Sequence, residues 1–296
     1  MIEDEKSIAL GTFDGLHLGH QSVINLAKKS EYKPFVLLFS EHPLKAISGI
    51  FPPELLTDSV KDSLLSQFGV NKIILDFKDI MNMPPEEFFY EILLKRFNAK
   101  ELSCGENYTF GKNGCGNPSL LLKLCMQNSI KLNIAKMQML GSTPISSTAI
   151  RTAIKNGDME TAAKMLGRPF SYDFQVVSGD RRGRILGFPT INQFFPDGFV
   201  EPKHGVYASA VSLNGKLYPA VTNFGLRPTI GTNSLRSETC ILGFSGNLYG
   251  KKVPVGLLSY IRPEVKFDDL NCLSAQIKQD SEVSQKIFQN SIANKC

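Results

Sequence analysis

The hydrophobic pattern of this chain changes character once, near Gly167-Arg168-Pro169, and that change limits the folds open to it. Before it, short apolar runs alternate with amphipathic stretches. Residues 7–13, 35–39, 72–77, 102–108 and 130–137 read as strands, and residues 19–29, 57–68, 84–97 and 118–127 as helices. Thr57 or Asp58 suits an N-cap, and Pro84-Pro85-Glu86-Glu87 suits a first helical turn. Strands alternating with helices mean a parallel α/β sheet. After residue 173 short β segments dominate. Residues 206–213 and 216–224 flank Asn214-Gly215, a hairpin turn signal, and residues 237–244 and 251–261 continue the run before a closing helix at 269–289. An all-β run of this kind closes as a barrel or sandwich, because closure removes exposed edges. The boundary falls at 167–173, giving domains 1–167 and 168–296, and 296 residues suffice for two cores.

With 42% hydrophobic and 21% charged residues, the chain has the composition of a soluble globular enzyme. The net charge of +5 suits anionic ligands such as nucleotides but is too small and scattered for a nucleic-acid partner. The acidic start, Met1-Ile2-Glu3-Asp4-Glu5-Lys6, is not a secretory signal, and the longest apolar runs are too short to span a bilayer. Cysteines 104, 115, 125, 240, 272 and 296 form no Cys-x-x-Cys pair and read as reduced thiols of a cytoplasmic protein.

Gly11-Thr12-Phe13-Asp14-Gly15-Leu16-His17-Leu18-Gly19-His20 joins a strand to a helix. In a parallel sheet, ligands gather at the carboxyl ends of strands, and a helix N-terminus offers free amides to a phosphate. Gly15 and Gly19 permit close backbone approach, and His17 and His20, three apart, share a face. Two imidazoles there can hydrogen-bond a triphosphate. In Ile145-Ser146-Ser147-Thr148-Ala149-Ile150-Arg151 the hydroxyls suit a helix cap, while Arg151 one turn on can instead reach phosphate oxygens.

Together, Gly-x-Phe-Asp-Gly-x-His-x-Gly-His and Ser-Ser-Thr-x-Ile-Arg resemble the nucleotidylyltransferase superfamily, specifically the FMN adenylyltransferase module of bacterial FAD synthetases. The resemblance implies a Rossmann-like domain. It places Gly11, Phe13, Asp14, His17, Gly19, His20, Ser147, Thr148 and Arg151 on ATP, and Asn107, in Cys104-Gly105-Glu106-Asn107-Tyr108-Thr109-Phe110-Gly111-Lys112, on FMN. The implied reaction is attack of the FMN phosphate on the α-phosphorus of ATP, giving FAD and pyrophosphate. Two departures stand out: Glu41 replaces the family's proline in Phe39-Ser40-Glu41-His42-Pro43, and Asn117 follows Gly116 where the family has Asp.

Arg182-Gly183-Arg184-Ile185-Leu186-Gly187-Phe188-Pro189-Thr190-Ile191-Asn192 resembles the signature of riboflavin kinase. Gly205-Val206-Tyr207-Ala208, Asn223-Phe224-Gly225-Leu226-Arg227-Pro228-Thr229, Leu248-Tyr249-Gly250-Lys251, Ile261-Arg262 and Phe267 follow in the family's order. The resemblance implies a six-stranded antiparallel Greek-key barrel with a terminal helix, transferring phosphate from MgATP to the 5′-hydroxyl of riboflavin. Gly183, Gly187, Thr190 and Asn192 would bind ATP, with Thr190 and Asn192 also offering Mg²⁺ the hard oxygen ligands it prefers. The family's catalytic carboxylate falls on Glu238, which by pattern alone is a surface acid on a strand; Gly243 departs from the family's Asp or Asn before Phe244.

The expectation is therefore a bifunctional enzyme taking riboflavin, FMN and ATP, with Mg²⁺, as a monomer or weak homo-oligomer. The alternatives are a kinase with a degenerate N-terminal domain and a non-catalytic flavin sensor.

Overall fold

The strand Lys6–Leu10 (β1) buries four of its five residues, as a strand covered on both faces of a parallel sheet must. It lies at the centre of a five-stranded sheet with β2 (Lys33–Phe39), β3 (Asn71–Leu75), β4 (Ala99–Gly105) and β5 (Lys131–Ala135). The order is β3-β2-β1-β4-β5, and every pairing is parallel. The order reverses between β1 and β4. That opens a crevice at their carboxyl ends, where α/β sheets hold ligands. The helix Leu18–Lys28 packs on β1, β4 and β5. A core including Phe88, Phe89, Leu93, Leu102 and Leu121 completes the layer. A two-stranded hairpin, β6 (Met139–Leu140) with β7 (Thr143–Pro144), follows β5.

The computed structural model describes residues 5–49, 51–179, 187–229, 232–267 and 269–293. Over 84–97, an α-helical turn at Pro85–Glu87 continues as a nine-residue π-helix, Phe88–Arg96, where an ordinary helix was expected. The Phe97 amide bonds back to Ile92, five residues earlier. That wider turn brings 88–89, 92–93 and 97 to one side, and all five side chains are buried.

The C-terminal half is an antiparallel sheet curled into a half-barrel. Its strands are β8 (Phe170–Tyr172), β9 (Val176–Val177), β10 (Thr190–Phe194), β11 (Gly205–Leu213), β12 (Lys216–Thr229), β13 (Thr232–Ile241) and β14 (Val255–Arg262), in the order β8-β14-β11-β12-β13-β10-β9. Asn214 and Gly215 make the β11–β12 turn at φ 50° and 78°, which a tight hairpin requires. At the β9 edge, Val176 N–H donates to the Lys251 carbonyl and Gly250 N–H to that of Val176, both at 2.9 Å. The helix Leu270–Ala293 packs on β11, β12 and β14, where Asp280 takes hydrogen bonds from Arg262 Nε and Nη2. Cys104, Cys115, Cys125, Cys240 and Cys272 are free thiols.

The chain forms two compact units, Met1–Pro52 with Lys61–Ser147, and Pro53–Val60 with Thr148–Cys296. The excursion Pro53–Val60 is thus part of the C-terminal unit. Glu54 exchanges backbone hydrogen bonds with Gly198 and Val200, Leu55 and Leu56 are buried, and Arg151 Nε donates to the Pro53 carbonyl. Thr57 and Ser59 donate to the two oxygens of Asp173, while the Thr57 hydroxyl also caps the following helix at Val60 N–H. Asp173 is buried and accepts from both hydroxyls, so removing its carboxylate loses two charge-assisted hydrogen bonds. Asp173→Ala should destabilise the C-terminal unit by about 1–3 kcal/mol. Calorimetry of the intact chain should show one melting transition lowered, and unchanged melting would mean that the excursion contributes nothing.

Candidate functional sites

The first site grows from the end of β1. Between Phe13 and Leu16 the chain turns with φ of 49° at Phe13, 82° at Gly15 and 45° at Leu16. Left-handed backbone at a phenylalanine and a leucine is costly and persists only where the surroundings enforce it. Here both side chains are fully buried. The turn delivers His17 to the N-cap of the helix Leu18–Lys28, where its Nδ1 accepts from the His20 amide at 3.3 Å. One of the four unpaired helix-end amides is thereby satisfied, and Leu18 and Gly19 lie at the positive end of the helix dipole.

The His17 and His20 rings stack with centroids 3.7 Å apart, and Phe13 packs on His20 at 5.3 Å. Gly19 packs closely there: a Cβ would sit 3.0 Å from the His17 ring, which would have to shift to admit it. Burial, and secondarily the neighbouring His17, hold the His20 imidazole well below its ordinary pKa, so it is neutral at pH 7. Its Nδ1 is buried without a hydrogen-bond partner. Ser147 Oγ donates to the Asp14 carbonyl at 2.8 Å, fastening the second motif to the first. Gly11 precedes this turn, with Phe13 against it. Asn107 is exposed just past the end of β4, its Oδ1 folded over Gly105. Thr148 and Arg151 belong to the C-terminal unit, Thr148 exposed and Arg151 buried.

The second site is set by strand register. Asn192 on β10 lies opposite Glu238 on β13, and Glu238 lies opposite Asn223 on β12. Thr190, two residues before Asn192, shares its face. Thr190 and Asn192 line a cavity of about 620 Å³ with Gly179, Phe244, Asn247 and Tyr249. Asn192 Oδ1 is buried with no hydrogen-bond partner. An orphaned carbonyl oxygen beside a threonine hydroxyl is a donor set that fits Mg²⁺. Glu238 accepts from Arg236 Nη2 at 2.7 Å, and Asn223 Nδ2 donates to Glu264 at 2.8 Å. Gly187 holds φ 80° in open space; Gly183 lies outside the described residues.

Residues 1–149 match the family model for FAD synthetase, and residues 166–288 that for riboflavin kinase. Bifunctional riboflavin kinase/FMN adenylyltransferases from Listeria monocytogenes and Escherichia coli K12 are each 32% identical to this chain. The first alignment covers 96% of this chain and 92% of the relative, the second 95% and 92%. The chain belongs to this bifunctional family. The crystal structure of a macrolide-efflux protein from Streptococcus pneumoniae has the same fold, with a TM-score of 0.87 and 31% identity over 96% of this chain and 95% of that one. Among the described residues, no helix is long and apolar enough to cross a membrane.

Several residues around Asn192, Glu238 and Asn223 carried no local signal. Gly179 is one: the Asn192 amide lies 2.5 Å from where its Cβ would be, so only glycine leaves Asn192 in place. Arg236 and Glu264 are others: Arg236 meets Phe194 only across the β10–β13 pairing, and Glu264 reaches Asn223 from 41 residues away.

The buried, neutral His20 makes stability depend on pH. The unfolded chain protonates this imidazole near pH 6.5, while the folded chain resists until lower pH. The stabilisation is therefore present above about pH 6.5 and is lost as pH falls through the window beneath it. His20→Gln should flatten that dependence. Melting temperatures of both proteins at pH 7.5 and 5.5 test this, and equal losses in the two would refute it.

Proposed function

We propose that this chain makes FMN from riboflavin and ATP in its C-terminal domain, 168–296, and FAD from FMN and ATP in its N-terminal domain, 1–167. The observation that carries the reading is that each motif set converges on chemistry of its own: two stacked imidazoles at a helix N-terminus in one, and an oxygen donor set opposite a carboxylate in the other. The macrolide-efflux name of the similar pneumococcal structure is not followed, because nothing in either constellation suits efflux.

In the adenylyltransferase site, the helix end, His17 and His20 would hold the ATP phosphates, with Gly11, Phe13, Asp14, Gly19 and Ser147 completing that grip and Asn107 on FMN. An FMN phosphate oxygen attacks the α-phosphorus and pyrophosphate leaves. Positioning and charge stabilisation suffice for such a transfer, and a neutral His20 donates a hydrogen bond without the cost of a buried fixed charge.

In the kinase site, Thr190 and Asn192 would hold Mg²⁺, which screens the charge of the ATP phosphates when bound. Gly183, by the family resemblance, and Gly187 would let backbone amides approach those phosphates. Glu238 accepts the hydrogen of the riboflavin 5′-hydroxyl, which attacks the γ-phosphorus as ADP departs. The curled sheet is read as the six-stranded Greek-key barrel of riboflavin kinases, a reading supported by the hydrogen bonds from β9 to residues 250 and 251. The protein is taken to act in the cytoplasm as a monomer or weak homo-oligomer, without nucleic-acid or membrane partners.

The two activities should separate. His20→Ala should cut FAD formation by about 10²–10³ while FMN formation stays near normal. Glu238→Gln should cut riboflavin turnover by about 10²–10⁴, with FAD synthesis from supplied FMN intact. Chromatographic separation of the flavins reads both. Loss of both activities in a folded His20→Ala protein would sink the two-site reading, and near-normal kinase turnover in Glu238→Gln would remove Glu238 from the mechanism.

A further inference from the structure

Arg236 and Glu238 alternate along β13 and share a face, two residues apart. Arg236 is 7% exposed. Its guanidinium lies over the Phe194 ring at 5.9 Å, its Nε is buried without a hydrogen-bond partner, and its Nη2 donates to Glu238 Oε1 at 2.7 Å. Burying a guanidinium with one N–H unsatisfied is a poor way to gain stability, since desolvation offsets the attraction. The arrangement has a different consequence. A glutamate side chain has three free torsions, and a planar guanidinium pinned against an aromatic ring fixes one carboxylate oxygen in space. β10 and β12 flank that carboxylate with Asn192 and Asn223.

We propose that Arg236 is a positioning residue for the kinase step: stacked on Phe194, it holds the Glu238 carboxylate in the one orientation that can accept the riboflavin 5′-hydroxyl. This rests on the proposed role of Glu238. Phosphoryl transfer has a loose transition state in which alignment of the attacking oxygen matters more than its deprotonation. Losing the alignment should therefore appear in turnover, not in nucleotide affinity.

The test uses the full-length chain. Arg236→Met should lower kcat for riboflavin phosphorylation by about 10²-fold, the scale of a misplaced catalytic group. The KM for MgATP should stay within about twofold of wild type, because nothing in the ATP grip changes. Arg236→Lys, which keeps a donor on Glu238, should recover most of the lost turnover. In a Glu238→Gln background, Arg236→Met should cost almost nothing further, since the group it positions is already disabled. FAD synthesis from supplied FMN, together with the melting temperature, reports that each variant is folded.

An Arg236→Met cost that is undiminished in the Glu238→Gln background would overturn the proposal, as would Arg236→Lys failing as badly as Arg236→Met. A raised KM for MgATP at normal kcat would overturn it too, placing Arg236 in nucleotide binding. If Glu238→Gln alone were near normal, the role of Glu238 would fall first. If Glu238→Gln were crippled and Arg236→Met were not, only the positioning role would fall.

Discussion

A ladder of buried hydroxyls inside the curled sheet is the interaction that sets which residues of β10, β12 and β13 face one another. Ser209 Oγ meets Thr222 Oγ1 at 2.7 Å, and Thr222 Oγ1 meets Thr239 Oγ1 at 3.0 Å, with all three side chains fully buried. Side chains alternate across a strand, so this inner row fixes what the outer row must be. With Thr239 opposite Thr222, Glu238 falls opposite Asn223, and on its other side opposite Asn192. A slip of β13 by one residue would turn Glu238 into the core beside Phe224 and strand the threonine hydroxyls. Burying an unpaired carboxylate there costs several kcal/mol, so the slipped register is not competitive. The polar interior thus works as a register lock, and the juxtaposition of Asn192, Glu238 and Asn223 on the other face is its consequence.

The N-terminal unit solves a similar problem with strain. Residues 13–16 must leave β1 and enter a helix within a few residues, and the left-handed Phe13 and Leu16 accomplish it. Burying both side chains offsets that strain, at roughly 1.5–3 kcal/mol each. What the sharp turn secures is the direction of the helix N-terminus and of the two stacked imidazoles, at the one place in the sheet where strand order reverses.

Much of this was legible in the sequence because it is local. The alternation of apolar runs revealed the five parallel strands, Asn214-Gly215 the β11–β12 hairpin, and the histidine spacing the shared helix face. Glu238 was legible only through family resemblance, since a lone acid in Ser237-Glu238-Thr239 has no local mark of function. What sequence reasoning missed joins residues distant in the chain. Thr57 reads correctly as a helix cap, but its bond to Asp173 spans 116 positions. The π-helix at Phe88–Arg96 was hidden because its apolar spacing also satisfies an ordinary helix. Arg236 was invisible because its meaning depends on a register that no single strand encodes.

The positions where this chain departs from its family bear on whether the N-terminal domain has degenerated, and the local chemistry at each argues that it has not. Glu41, in place of proline, is engaged by Lys45 one helical turn on, at 3.1 Å, so a compensating charge stands beside the new one. Asn117, in place of aspartate, caps the helix Pro118–Gln127, accepting from Leu120 N–H at 3.0 Å. Asparagine and aspartate are nearly equivalent caps, so the loop keeps its exit geometry with one charge fewer. Gly243, in the C-terminal unit, sits at φ 72° in open space, a conformation glycine adopts freely. A domain released from selection would lose its costly features first. Here the costly features are the strained turn at Phe13 and Leu16, the buried neutral His20 and the close packing at Gly19, and all of them are intact.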